Sequence, residues 1–140
     1  MPSKRKKNFQ IYLLLNLIFI LSLFSFSKKQ VRILPINSSV INLVINAKGS
    51  QEILNNTFYS EPTNVIVNGV SMPSCKKNCT LPLNSNNVTL IFEENINSCE
   101  NMFYGLINLT TVDLSNFDAS HVTNMNSMFQ KCEKLEKITF

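Results

Sequence analysis

One pattern of residues occurs twice in the last third of the chain, at a fixed distance. Shifting residues 96–114 (repeat 1) by 26 positions superimposes them on residues 122–140 (repeat 2). Eight positions are apolar in both copies: Ile96/Val122, Cys99/Met125, Met102/Met128, Phe103/Phe129, Leu106/Cys132, Leu109/Leu135, Val112/Ile138 and Leu114/Phe140. A period in the twenties is typical of proteins whose units are too small to bury their own apolar face and stack on a neighbour. The chain is therefore expected to fold by stacking these units.

The spacing of apolar residues changes within each repeat. In repeat 1 they first recur at steps of three and four, which predicts a short helical turn with an apolar face: Met102, Phe103, Leu106 and Leu109. Val112 and Leu114 then flank Asp113, which predicts a short strand. Stacking would place Val112 beside Ile138 in a parallel ladder. The predicted fold class is α/β, a leucine-rich-repeat-like solenoid with a short helical turn and a short parallel strand per repeat, behind a β-rich N-terminal cap.

The segment that returns from one strand to the next repeat, residues 115–125, contains three large apolar residues among turn-forming ones. Phe117, Val122 and Met125 are expected to point inward. Asp118 and Asn124 are suited to hydrogen bonds with the backbone of the turns, as short polar side chains often are.

At these residues the sequence resembles a known family. Residues 102–140 are similar to the repeats of BspA-like leucine-rich-repeat surface proteins, in the segments Asp113-Leu114-Ser115, Phe117-Asp118 and Val122-Thr123-Asn124-Met125, and at Ser120. Leu106 stands where that repeat has cysteine, and Ala119 where it has threonine. The resemblance covers residues 96–140 and implies a secreted or cell-surface adhesion protein without catalytic residues.

Residues 39–95 are interpreted as an N-terminal β-rich cap that contains a degenerate repeat at 53–67. Three strands are predicted, at 39–49, 64–70 and 86–92, and Asn68-Gly69 is a strong signal for a hairpin turn. In the first strand Ile41, Leu43 and Ile45 form a wholly apolar face. A helix is predicted over 50–59, with Ser50 as its cap.

The first residues indicate export. A basic start is followed by an apolar run at 11–26, which would reach only about 24 Å as a helix. Residues 1–27 are thus expected to be a signal peptide cleaved after Ser27, or alternatively an uncleaved signal anchor, and 28–38 a linker. Four of the 13 basic residues lie at positions 4–7, and residues 28–140 carry no net charge. The sequence therefore predicts a secreted or cell-surface protein that has no nucleic-acid partner and contacts membrane only through its N-terminal segment, if that segment is uncleaved.

Four cysteines in an exported chain allow three pairings. Cys75 and Cys79 bracket a polar turn and are predicted to form a disulfide. Cys99 and Cys132 align with apolar residues of the other repeat and are interpreted as buried thiols. A zinc site is the alternative, but the spacing of the four fits no paired-ligand pattern.

Five asparagines stand in the acceptor pattern for N-glycosylation: Asn37, Asn55, Asn78, Asn87 and Asn108. Asn78 and Asn87 are expected to be modified before Asn108, which lies inside repeat 1.

Residues for catalysis are few. His121 is the single histidine, in a turn near Asp118 and Ser120, and there is no glycine-rich phosphate loop among three glycines. No enzyme activity and no cofactor are predicted. We expect an interaction or adhesion module that meets a protein or glycan through outward strand residues Thr111, Asp113, Lys137 and Thr139. The alternatives are a fragment of a larger repeat protein without independent function, since the repeats are C-terminally incomplete, and a degenerate secreted hydrolase accessory.

Overall fold

The computed structural model of the chain describes residues 38–140. The predicted signal segment at 1–27, nearly all of the linker at 28–38 and the glycosylation candidate Asn37 lie outside the described residues. Between residues 38 and 140, no helix is long and apolar enough to cross a membrane.

Residues 38–140 form strands and turns. The strands are β1 (Ser39–Ile45), β2 (Gly49–Glu52), β3 (Asn64–Val67), β4 (Val70–Ser71), β5 (Asn78–Leu81), β6 (Asn86–Phe92), β7 (Leu109–Asn116) and β8 (Lys137–Thr139). Six of them make one sheet in the order β4-β3-β6-β1-β7-β8, and β2 pairs with β5 in a second sheet. All pairs are antiparallel except β7 with β8. The large sheet is therefore mixed.

The predicted fold class, an α/β solenoid with a helical turn in each repeat, is wrong. The segment that was expected to be helical is a run of tight turns, and the repeat strands β7 and β8 belong to the mixed sheet. The backbone amides of the segment donate alternately to carbonyls within the segment and to carbonyls of repeat 2. Met102, Tyr104 and Leu106 donate to the carbonyl three residues earlier, at 3.0 to 3.2 Å. The amides between them bond to repeat 2 instead, so the i to i−4 ladder of a helix does not form. The apolar steps of three and four thus mark successive turn corners, which the sequence pattern does not distinguish from a helix.

The helix predicted over 50–59 is also wrong. Residues 49–52 form β2, which pairs with β5 from Gly49↔Leu81 to Glu52↔Asn78. The residues that follow are turns, and the apolar side chains Ile53, Leu54 and Phe58 are buried there. Long-range pairing with β5 outweighs the local helical spacing, since local propensity is a weak prior.

Two predictions in the N-terminal half are confirmed. Ile41, Leu43 and Ile45 are at most 2% exposed, while the alternate residues of β1 are half-buried. The Asn68-Gly69 pair joins β3 to β4 with Val67 opposite Val70. Both turn residues have positive φ, 49° and 82°, which the hairpin turn requires and which asparagine and glycine tolerate.

The core lies on one side of the six-stranded sheet. Inward residues of the central strands, such as Leu43, Leu90 and Val112, pack with the turn corners of repeat 1. Phe58, Met102 and Phe103 are at most 1% exposed, and a buried side chain of this size contributes roughly 1.5–3 kcal/mol relative to exposure. The N-terminal strands and repeat 1 thus share one apolar core.

Residues that are 26 positions apart in the sequence lie side by side in the structure. Val112 pairs with Ile138 between β7 and β8, as predicted, and Ser98 forms a parallel bridge with Asn124. Phe103 stacks on Phe129 with ring centroids 5.7 Å apart. Repeat 2 is less buried than repeat 1. Met125, which was predicted to point inward, is 53% exposed.

The turns of the two repeats also share backbone conformation. Positive φ angles occur at Asn101 (56°) and Gly105 (75°) and recur 26 residues later at Ser127 (55°) and Lys131 (62°). Asparagine and glycine adopt this conformation readily, whereas a β-branched residue does not. Repeat 2 thus has the same turn geometry as repeat 1, although serine and lysine adopt positive φ less readily than asparagine and glycine do.

A substitution pair at Ser127 tests this geometry. Ser127→Val is expected to lower the free energy of unfolding by about 1–2 kcal/mol, because the branched side chain clashes at positive φ. Ser127→Asn, which copies the residue of repeat 1, is expected to leave the free energy unchanged or raise it slightly. Urea unfolding followed by circular dichroism measures both. Ser127 is exposed, so neither variant changes the packing of the core. Equal effects of the two variants would therefore contradict the positive φ assigned to this residue.

Candidate interaction surface

The four strand residues predicted to meet a partner lie together on the outer face of the sheet. Thr111 pairs with Lys137 and Asp113 pairs with Thr139, so the four side chains form a two-by-two block on β7 and β8. Lys137 is exposed and the other three are half-buried. Residues between them in sequence, such as Val112, face the core. The alternation of inward and outward residues in β7 is therefore as predicted.

The same face continues across the neighbouring strands β1 and β6, where the sequence predicted no contact residues. Asn42 and Val44 of β1 lie opposite Asp113 and Thr111, respectively. Asn42 in turn lies opposite Thr89 of β6, and the Thr89 hydroxyl donates a 2.8 Å hydrogen bond to the Asn42 side-chain oxygen. Hydroxyl and amide groups thus run across four strands. The polar residues that alternate with apolar ones in β1 and β6, such as Asn42 and Thr89, could have indicated this extension of the face.

Charge on this outer face is sparse and balanced. The backbone amide of Ser115 donates to Asp113 Oδ1 at 2.9 Å. This bond, the Ser115 hydroxyl and the nearby Lys137 ammonium hold the pKa of Asp113 below its usual range. Asp113 is thus ionised at neutral pH beside one cation, Lys137. In the two-by-two block, one anionic and one cationic side chain thus lie beside two neutral ones.

Two glycosylation candidates present their side chains at the surface. Asn87 is exposed on β6, and it pairs with Val44, which in turn pairs with Thr111. Asn87 therefore lies in the same cross-strand row as Thr111. Asn78 is exposed on β5, where its amide donates to the Asn56 side-chain oxygen at 2.9 Å.

The other two described candidates have side chains that the fold uses internally. Asn55 Nδ2 donates to the carbonyl of Tyr104 at 2.9 Å. Asn108 Nδ2 donates to Gln51 Oε1 at 3.2 Å, and its oxygen accepts from Lys134 Nζ at 2.9 Å. The side-chain nitrogens of Asn55 and Asn108 are thus hydrogen-bonded, as that of Asn78 is, but these two residues are also half-buried.

The cysteines divide into a bonded pair and two free thiols. Cys75 and Cys79 form a disulfide, as predicted. Cys99 is buried, and burial raises the pKa of its thiol to about 11. Cys132 is half-buried, its pKa is also raised by burial, and its Sγ contacts the Phe103 carbonyl at 2.9 Å. The zinc alternative is not supported, because no cluster of metal-ligating residues occurs within residues 38–140.

The two lysines inside the disulfide loop have structural contacts. Lys76 Nζ donates to the carbonyl of Pro62 at 2.9 Å. Lys77 Nζ donates to the carbonyls of Asn56 and Phe58 at 3.1 and 2.6 Å. Both ammonium groups thus bind the 53–63 segment to the disulfide loop and do not form a solvated basic patch. The sequence around the two lysines gives no indication of these distant partners.

His121 lies in an exposed turn with two polar neighbours. Ser120 Oγ is 2.9 Å from His121 Nδ1, and Asn95 Nδ2 is 3.4 Å from Nε2. The Asp118 carboxylate accepts from the Ser120 amide at 2.9 Å, and hydrogen bonds from Ser120 are the main reason why its pKa is lowered. In a Ser-His-Asp triad the carboxylate orients the imidazole. Here it orients the serine, so the three residues form a turn-stabilising cluster.

One comparison with known proteins finds a match. A family model with the description Mycoplasma protein of unknown function, DUF285, matches residues 70–139, which is half of the 140 residues. The matched range runs from β4 through β8 and includes the disulfide loop, repeat 1 and all of repeat 2 except Phe140. No curated protein and no solved structure matches the chain.

Proposed function

The chain belongs to the DUF285 family, whose description names no activity, and from its surface we propose that it is a non-enzymatic interaction module. It acts outside the cytoplasm and binds a protein partner through the outer face of the six-stranded sheet. The residues that make this contact are Asn42, Thr89, Thr111, Asp113, Lys137 and Thr139. The likeness of its repeats to BspA-like surface proteins supports the adhesive role.

One observation carries the proposal. Half-exposed hydroxyl, amide and carboxylate side chains form cross-strand rows on a hydrogen-bonded sheet, with Asn42 opposite both Thr89 and Asp113. A rigid polar surface loses little conformational entropy when a partner binds. Aliphatic Val44 lies among these groups and supplies apolar contact area. A face of this composition resembles non-obligate protein interfaces, which are about as apolar as ordinary protein surface.

Two features support the extracellular location. The disulfide Cys75–Cys79 is of the kind that persists in oxidising compartments. The basic start followed by an apolar run at 11–26 is typical of export signals.

A quadruple alanine variant at Thr111, Asp113, Lys137 and Thr139 tests the proposal. Beads coated with the purified chain are applied to cell monolayers, and the number of retained beads is counted under flow. The variant is expected to reduce retention about tenfold, as loss of an interface centre does. Circular dichroism checks that it folds.

The matched control is the double variant Glu93→Ala and Glu94→Ala, which removes two exposed charges beyond the end of β6. It is expected to retain beads as the unmodified chain does. Retention by the quadruple variant equal to that of the control would refute the surface assignment.

A further inference from the structure

We infer that an N-linked glycan on Asn87 covers the outer face of the six-stranded sheet, so that modification of this one residue decides whether the face binds its partner. The inference rests on the proposed function, because it concerns the same face. Asn87, Val88 and Thr89 form the acceptor pattern at the start of β6. Asn87 is exposed, and its side chain is therefore available to carry the glycan.

The position of Asn87 determines where the glycan lies. Asn87 pairs with Val44 of β1, Val44 pairs with Thr111 of β7, and Thr111 pairs with Lys137 of β8. Neighbouring strands lie about 4.8 Å apart, so Asn87 is roughly 10 Å from Thr111 along this row. Side chains of a strand stand roughly perpendicular to the sheet. A glycan on Asn87 thus rises from the outer face itself and not from an edge of the sheet.

Thr89, the third residue of the acceptor pattern, belongs to the proposed contact surface. Side chains alternate along a strand, so Asn87 and Thr89 lie on the same face, about 7 Å apart along β6, while Val88 between them is buried in the core. The Thr89 hydroxyl donates to Asn42, another residue of that surface. A glycan is bulky and hydrated. Sugars on Asn87 therefore cover contact residues both along β6 and across to Thr111.

The fold accommodates a modified side chain at Asn87. The hydrogen bonds between this residue and the turn before β4 use its backbone. Its amide donates to Asn68 Oδ1 at 2.9 Å, and its carbonyl accepts from the Asn68 amide at 2.8 Å. A glycan on the side-chain nitrogen of Asn87 leaves both bonds in place.

The other three acceptor asparagines among residues 38–140 do not combine these properties. Asn78 is exposed, but it lies on β5 in the second sheet. Asn55 and Asn108 are half-buried, and their side-chain nitrogens form hydrogen bonds with other parts of the fold. Of these four acceptors, Asn87 is the one at which a glycan both fits the fold and covers the outer face.

The modification is a group transfer to the side-chain nitrogen of Asn87. This nitrogen bonds to the anomeric carbon of an oligosaccharide carried on a lipid diphosphate, and the bond from that carbon to the diphosphate oxygen breaks. The nitrogen loses one proton and the lipid diphosphate leaves, so nothing is oxidised or reduced. In the folded chain β6 pairs on both sides, with β1 and β3. The transfer therefore takes place during export, before β6 has paired.

The test compares the chain with and without the glycan. The full chain is secreted from cultured eukaryotic cells, whose export pathway contains the transferase, and mass spectrometry of its peptides measures the occupancy of each acceptor. Asn87 is expected to be occupied. Beads coated with the purified chain are then counted on cell monolayers under flow. Asn87→Gln is expected to raise retention about tenfold, the same factor by which loss of an interface centre lowers it.

Two controls separate the effect of the glycan from other effects. Asn78→Gln removes an exposed acceptor on the second sheet and is expected to leave retention unchanged. In a bacterial host that lacks the transferase, the unmodified chain and Asn87→Gln are produced without glycan. These two are expected to be retained equally, and a difference between them would overturn the inference, because the substitution itself would then act on the face.

An unoccupied Asn87 would also overturn the inference, as would equal retention of the glycosylated chain and Asn87→Gln. Stronger retention of the glycosylated chain would mean that the glycan is the ligand, and it would overturn the inference too. Failure of the proposed function is a different result: full retention of the quadruple alanine variant produced in the bacterial host. The inference would fall with it.

Discussion

Replacing Phe103 by alanine is expected to lower the free energy of unfolding by about 3–5 kcal/mol, the loss typical of a buried phenylalanine. Phe103 is fully buried and stacks on Phe129, so its removal leaves a cavity where repeat 1, repeat 2 and the core meet. The whole stability of a domain is typically about 5–15 kcal/mol. Phe103→Ala is therefore expected to leave a large unfolded fraction at physiological temperature, measured by urea and thermal unfolding.

Phe129→Ala is the matched control, because it removes the same side chain at the equivalent position of repeat 2. Phe129 is half-buried, so its loss should be clearly smaller than that of Phe103. Equal losses at the two positions would contradict the description of repeat 1 as central and repeat 2 as peripheral.

Replacing Asn86 by alanine is expected to cost about 3 kcal/mol, although no apolar contact area is lost. Asn86 is 1% exposed and its side chain makes four hydrogen bonds. Its nitrogen donates to the carbonyls of Ala47 and Leu83 at 2.9 and 2.6 Å. Its oxygen accepts from the Leu83 amide at 3.1 Å and from Asn68 Nδ2 at 3.0 Å. Each buried group left without a partner costs about 1–3 kcal/mol.

Asn87→Ala is the control for this prediction, since Asn87 is the next residue of β6 and is exposed. Its effect should stay within about 0.5 kcal/mol, as for most surface substitutions. Chemical denaturation of both variants at one pH gives the comparison. Equal stability of Asn86→Ala and Asn87→Ala would contradict the prediction. It would mean that the hydrogen bonds of Asn86 to Leu83 and Ala47 do not stabilise the fold.

Local and periodic features were predictable from the sequence. The 26-residue shift is a fixed count along the chain, so the Val112–Ile138 pairing followed from alignment of the repeats alone. The Asn68-Gly69 hairpin and the Cys75–Cys79 disulfide were predictable for a related reason. In each case the residues that determine the structure lie within a few positions of one another.

Features that depend on distant partners could not be predicted. The steps of three and four through Met102 and Leu106 fit a helix or successive turns equally well, and bonds to repeat 2 decide between them. Nothing in residues 49–52 indicates that β5 pairs with them. The outer sheet face was predicted only at Thr111, Asp113 and their partners on β8, because the adjacency of β1 to β7 is not visible in sequence spacing.

The position of β1 in the sheet has a consequence for how the chain can be made. β1 is the first strand of the described chain, yet its neighbours β6 and β7 end at residues 92 and 116. During synthesis the apolar residues of β1 stay without either neighbour until β6 has been translated, about 40 residues after β1. Contacts this far apart in sequence also form slowly. A chain that completes its sheet so late remains unfolded for longer, and the proposed extracellular location would require such an unfolded state during export.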